Sequence, residues 1–340
     1  MNTFSSIGSF LTRGSIKPRE VQLSSQVTTA TFTDESGTYT QYYFLSTSGP
    51  NYIQLNNFKT TKTISILCIG GGGGGANAGG GGGAGGFREF SLTLDPAVFS
   101  SERITCVVGA GGRGAPMLQS IYSTASNGGS TTVRFQNNTM HTKESRGGGE
   151  GGGRSTSGAS GASGGGSMEA ATSSSTAVTS TGEYGNPGGN ASSSNWQSGS
   201  GGGGAGGAGG DSVFGSSSTT RGGPGGIGKQ CSLNGISNTL YWAGGGGGMG
   251  QTYNESNINS GGRGGGGGGW SGGTNETNKR WSIGGGDAFR SVVSGTGDAG
   301  ANTGSGGGGM YYNGRNTGDS NDYRGGHGAD GIVIISIKNE

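Results

Sequence analysis

Six aromatic residues stand next to or between glycine runs: Tyr241, Trp242, Tyr253, Trp270, Trp281 and Tyr312. Tyrosine and tryptophan pair an apolar ring with one polar handle, so exposed copies anchor sugars and protein surfaces well. They are the candidates for contact with a receptor or partner. The competing reading is that they close the ends of a glycine-built scaffold against water. Two aspartates form a second set. Asp211 in GGAGGDSVF (206–214) and Asp330 in GGHGADGIV (325–333) each match the nonapeptide that binds calcium in parallel β-helices. That chemistry shares each ion between successive turns and so needs tandem copies. These two copies are isolated, and each reads as a turn into a strand. No metal is expected, and the two aspartates would be the ligands if calcium bound.

Other patterns are by-products of glycine richness. Gly161–Gly165 (GASGG) and Gly269–Gly273 (GWSGG) fit the nucleophile elbow, which requires a following helix, a histidine and an acid. The chain has only His141 and His327, and no helix is expected after either serine. GPGGIGKQ (223–230) lacks the final Ser/Thr of a phosphate loop, with Gln230 in its place. Arg-Gly-Gly recurs at 146, 221, 263 and 324. The copies are dispersed rather than clustered as in RNA-binding segments. A net charge of +2 offers no field for a phosphate backbone. The arginines are expected to bond carbonyls at the ends of glycine segments. No catalytic residue, cofactor or nucleic-acid partner is expected, although an Arg-Gly RNA-binding protein stays as a minor alternative.

The elements that must hold these residues come next. Glycine supplies 87 of 340 residues and apolar residues 27%, so any core is small. Near-zero charge and 8% aromatics run against ordinary disorder. No apolar stretch approaches the ~20 residues of a membrane helix. The first residues lack the basic start and apolar run of a secretory signal, so synthesis and folding in a cytoplasm are expected. Cys68 and Cys106 fall in apolar strands and Cys231 in a polar loop, without disulfide or zinc spacing.

Strands are expected at 27–33, 39–45, 52–55, 63–69, 87–94, 103–109 and 130–135, with turn residues between them. A last strand, GIVIISI at 331–337, is apolar on both faces and needs neighbours from the first 135 residues. This predicts an all-β fold with almost no α-helix. Residues 1–24 form an arm or anchor. Residues 25–135 with 331–340 form a jelly-roll-like β-sandwich. Residues 136–330 are a large insertion, joined by the glycine segment 70–86. A structureless insertion of that length would contradict a compact domain. The glycine runs therefore need order of their own. Extended threefold helices of the polyproline type, made of glycine and packed side by side, would supply it. Each rises ~3.1 Å per residue and has no internal hydrogen bonds. Every N–H must then find a neighbouring helix. On this reading strand 63–69 leaves the sandwich at Gly70 and the chain returns at Phe87.

ILCIGGGGGG (66–75), GGAGGFREF (82–90), TCVVGAGGRG (105–114) and GHGADGIVIISI (326–337) occur in an order that resembles the viral and bacterial glycine-rich domains. That family includes phage tail-fibre tip adhesins and virion proteins. A similar module occurs in the ectodomain of anaplastic lymphoma kinase. The resemblance implies a bundle of polyglycine II helices with loops exposed at its ends. It also implies a structural capsid, fibre or tail component of a virion, made in the host cytoplasm. Its partners would be other virion proteins or copies of itself, with a glycan or protein receptor on the host surface as a further partner. The alternative is a cellular extracellular adhesin or filament subunit at the cell surface.

Overall fold

A computed structural model describes residues 21–56, 58–77, 79–99, 101–116, 125–153, 156–168, 175–191, 198–213, 219–252, 260–271, 280–281, 298–310 and 324–339. Its long strands are β1 (Val21–Leu23), β2 (Val27–Asp34), β3 (Gly37–Phe44), β4 (Asn51–Asn56), β5 (Lys62–Ile69), β6 (Phe87–Leu94), β7 (Ser101–Val107), β8 (Thr131–Phe135) and β9 (Lys143–Ser145). Six two-residue strands follow: β10 (Thr219–Thr220), β11 (Lys229–Gln230), β12 (Tyr241–Trp242), β13 (Gln251–Thr252), β14 (Trp270–Ser271) and β15 (Arg280–Trp281). The last strand is β16 (Ile332–Lys338). The described helix is one turn, Pro96–Phe99, and a 3-10 turn, Thr139–His141. The all-β expectation holds.

Two five-stranded antiparallel sheets form the sandwich, in the orders β1-β4-β7-β8-β9 and β2-β3-β16-β5-β6. Alternation builds the space between them, because every second side chain points inward. Ile64, Ile66 and Cys68 of β5, with Val333, Ile335 and Ile337 of β16, meet Ile53 and Leu55 of β4, Ile104 and Cys106 of β7, and Val133 and Phe135 of β8. The strand apolar on both faces is central: β16 lies between β3 and β5, pairing Ile335 with Tyr42 and Ile66. Its other face, Ile332 and Ile334, joins Leu67, Ile69, Phe87, Trp242, Ile236 and Cys231 in a second cluster. Cys231 is therefore a core residue, not the polar-loop residue its neighbours imply. The loop that carries it is tied down by Gly235, whose carbonyl accepts from Gln41 Nε2 and Ser336 Oγ. Val21–Leu23, inside the stretch read as an arm, is a strand; residues 1–20 lie outside the described residues.

Six strand termini continue into glycine segments: β5 into 70–76, β7 into 109–115 and β9 into 146–153, while 79–86 leads into β6, 125–130 into β8 and 325–331 into β16. Their backbone bonds follow a period of three. Gly70 and Gly73 donate to the carbonyls of Gly86 and Gly83; Gly71 and Gly74 to Gly129 and Ser126; Gly72 and Gly75 to Ala329 and Gly326, all at 2.8–3.0 Å. The carbonyls of 71–75 accept from three further segments, through Gly148 and Gly151, Gly112 and Ala115, and Gly307. One segment thus bonds six neighbours. The return segment repeats the pattern, with Gly80, Gly83 and Gly86 donating to 152, 149 and 146, and Gly82 and Gly85 to 307 and 304. Residues 109–115 and 126–129, which the sequence reading left outside the insertion, are part of this lattice.

Close approach makes glycine obligatory here. A Cβ at Gly73 would lie 2.1 Å from the Gly149 carbonyl oxygen, and at Gly74 2.0 Å from that of Arg113. At Gly153 the nearest atom would be 3.6 Å away, an ordinary contact. Gly74→Ala is therefore expected to destabilise by at least about 1–3 kcal/mol through overpacking. Gly153→Ala is expected to be neutral, or stabilising by about 0.4–1 kcal/mol through lost unfolded-state entropy. Thermal unfolding of the two variants checks this, and equal melting temperatures would contradict it.

Candidate functional site

The two-stranded ribbon of β11 and β12 brings together residues from the two sides of the loop 231–240. Lys229 pairs with Trp242 and Gln230 with Tyr241. Because strand side chains alternate, Lys229 and Trp242 share one face and Gln230 and Tyr241 the other. Trp242 is 1% exposed and packs in the second cluster with Leu67, Phe87 and Ile332. It is a core residue, which corrects its reading as a surface anchor. Ala243 follows with φ 56°, turning the chain from the ribbon into the 244–248 run. Tyr241 is half-buried, and the Arg263 guanidinium lies 4.4 Å from its ring centroid.

Beside the ribbon is a groove of about 730 Å³, lined by Tyr184, Asn186, Ile227, Lys229, Gln230 and Asn238 among others. Tyr184 and Ile227 are exposed. Lys229 Nζ sits 4.2 Å from the Tyr184 ring centroid, and Phe87 meets the same ring edge-on at 6.1 Å. Tyr184 itself is fixed by a backbone bridge, exchanging hydrogen bonds with Phe87 at 2.8 and 3.1 Å. This groove has the composition of a contact site: a held aromatic, an exposed aliphatic, a cation and three amides. Sequence reading missed Tyr184, although an aromatic in GEYGNPGG, among turn residues, is a surface signal.

Of the other aromatics, Trp270 and Trp281 are register partners in β14 and β15. Tyr253 and Tyr312 lie outside the described residues. The aspartates are separate and occupied. Asp211 Oδ1 accepts from the Asn190 N–H at 2.6 Å, and Asp330 Oδ1 from that of Gly111 at 2.7 Å. Among the described residues no group of three or more His, Cys, Asp or Glu could hold a metal ion. Ser163 is buried between glycine segments, its Oγ accepting from the Asn186 N–H. Of the Arg-Gly-Gly arginines, Arg146 and Arg324 are partly buried and bond within the protein, while Arg221 and Arg263 are exposed. Arg146 donates to the Val178 carbonyl, and Arg324 makes a two-pronged pair with Asp298 at 2.9 and 3.0 Å.

His327, between Arg324 and Asp330, joins two glycine segments. Its Nδ1 accepts from the Gly114 N–H at 3.0 Å, and its own N–H donates to Asp298 at 2.7 Å. The ring proton therefore sits on Nε2. Burial first, then the Arg324 and Arg113 charges, hold its pKa below 6.5, with Asp298 opposing them.

The family model described as a glycine-rich domain matches residues 53–338. Among curated proteins no match is found.

Two outcomes follow from this geometry. Trp242→Ala is expected to cost about 3–5 kcal/mol of stability, as emptying a core tryptophan site does; a denaturant midpoint measures it. For His327 the unfolded chain binds the proton more readily than the folded one. Its contribution is thus complete above the unfolded value and lost as pH falls from there through the lower folded value. Wild type should melt lower at about pH 5 than at about pH 7.5. His327→Asn, which keeps an acceptor and cannot titrate, should lose part of that difference.

Proposed function

The chain belongs to the glycine-rich domain family, and on that premise we propose that it is a non-enzymatic structural protein of a virus or phage particle. In this reading it is a capsid, fibre or tail component whose glycine bundle displays loops, with host attachment as their role. The observation that carries the proposal is the six-neighbour backbone lattice. A scaffold with no room for side chains offers nothing to discriminate partners, so recognition falls to the connections that emerge from it. The period-three bonding supports the reading of these segments as polyglycine II helices, which have three residues per turn and no internal hydrogen bonds. The Tyr184–Lys229 groove is the contact surface we assign to a glycan or protein receptor. A nucleic-acid role gains no support from Arg146 and Arg324, which spend donors within the protein. Among the described residues no helix is long and apolar enough to cross a membrane.

Mass spectrometry of purified particles tests the particle assignment. Recovery from cell surfaces or secreted filaments instead would make the protein an extracellular adhesin. The attachment role is tested by Tyr184→Ala combined with Tyr241→Ala. The double variant should keep its melting temperature and incorporation while its attachment to host cells falls. Normal attachment would leave the protein a building block with no receptor role.

A further inference from the structure

A sandwich of two open sheets has four edge strands, and three of them carry protection. β1 and β9 are three residues long, and β9 bears Lys143 and Glu144. β6 carries Arg88 and Glu89, is bridged at Phe87 by Tyr184, and has Ser232 bonded to the Glu89 carboxylate. Short length, charge and a covering segment are the usual devices that stop an edge from recruiting another strand.

Among the described residues β2 has none of them along Val27–Thr33, and the loop through Gly235 hydrogen-bonds to it only at Asp34. Its eight residues, VTTATFTD, pair with β3 in unbroken register from Val27–Phe44 to Asp34–Gly37. It contains no proline or bulge and no charge before Asp34, whose carboxylate is taken up by the Ser36 and Gly235 N–H groups. Thr28, Thr29, Ala30 and Thr31 are all exposed. Four consecutive exposed residues mean that both faces are open there. Val27 on the inner face packs on the core, while Thr29 and Thr31 on the same face are exposed. Among the described residues no backbone hydrogen bond reaches the outer side of Thr28–Thr33. β-branched threonines at these positions favour extended pairing.

We propose that β2 is a self-association edge: two copies pair β2 to β2, antiparallel about a twofold axis, joining their five-stranded sheets into one. The segment is suited to meeting itself. Centred on Ala30, the pairing keeps each residue on its own face and sets Thr29 against Thr31 and Thr28 against Phe32, both favourable cross-strand pairs. It sets each Asp34 against Gln26, so no like charges are opposed. An isologous twofold contact closes on itself and yields a dimer rather than a filament. A single-strand seam is small beside the roughly 1,600 Å² of a standard interface, so the dimer is reversible. The proposal stands whether or not the protein belongs to a particle.

Sedimentation velocity of the full chain across a range of concentrations tests it, with amide hydrogen exchange at the two ends of that range. Wild type should shift from monomer to dimer with concentration, and the amides of residues 28–33 should exchange more slowly in the dimer. Thr31→Lys, an exposed edge substitution, should abolish the dimer over that range without lowering the melting temperature of the dilute protein. The proposal is overturned by a wild type that stays monomeric, including one whose edge instead captures a different protein. It is equally overturned by a dimer in which exchange at 28–33 is unchanged, or by a dimer that Thr31→Lys leaves intact.

Discussion

Everything in this protein depends on a carbonyl oxygen occupying the place where a side chain would begin. At Gly72, Gly74, Gly82 and Gly85 a Cβ would fall within about 2.1 Å of a neighbouring carbonyl oxygen. That closeness lets each segment satisfy its donors and acceptors on surrounding segments instead of within itself. It also decides where the few exceptions fall. Ala84 and Ala205 interrupt glycine stretches, Ala243 opens one, and all three are in the cluster beneath the second sheet. Their methyl groups fit because the lattice there meets side chains rather than backbone. These three alanines mark the seam between the two kinds of packing.

The lattice cannot stand by itself. Ordering a residue costs about 1–2 kcal/mol, glycine being at the expensive end, and a net hydrogen bond returns about 1 kcal/mol. The sandwich supplies the missing term by fixing six chain ends at one edge. It also receives something in return. Within the sandwich the two sheets touch through side chains, at a spacing near 10 Å. Past the strand ends the same chains bond directly across that divide. Gly71, which continues β5, donates to Gly129, which leads into β8, and Gly331 before β16 donates to Gly109 after β7. Thr131 and Ser145 sit at the transition, the first accepting from Gly109 and Cys68, the second donating to the Cys68 carbonyl. The bundle is a backbone clamp on one end of the sandwich.

Legibility in the sequence followed the type of force. Strands held by alternating burial were readable: β5 and β7 from Ile64, Ile66, Cys68 and Ile104, Cys106, and the central place of β16 from its two apolar faces. β1 and β9 were not readable, because three residues carry too little periodicity to register. Residues 109–115 and 126–129 were missed since their glycines are separated by Arg113, Pro116 and polar residues, while their lattice bonds use backbone common to any sequence. Trp242 and Cys231 were misplaced for another reason. Their immediate neighbours are turn residues, and burial came from the outer face of a sheet remote in sequence. The groove was visible only in space, since Tyr184 and Lys229 are brought together by the Phe87–Tyr184 bridge.

The position of β16 between β3 and β5 bears on how the chain can be made. Neither the second sheet nor the lattice can close until residues 325–338 exist, because Gly72, Gly75 and the inner edges of β3 and β5 all wait for them. Hundreds of residues emerge from the ribosome before that. Contacts between such distant parts of the chain are slow to form, since loop closure comes before any return. Through that interval β3 and β5 present bare apolar edges. The glycine and serine stretches between β5 and β16 are poor in apolar side chains and so offer those edges little to stick to. The composition that builds the finished lattice thus also protects its own synthesis.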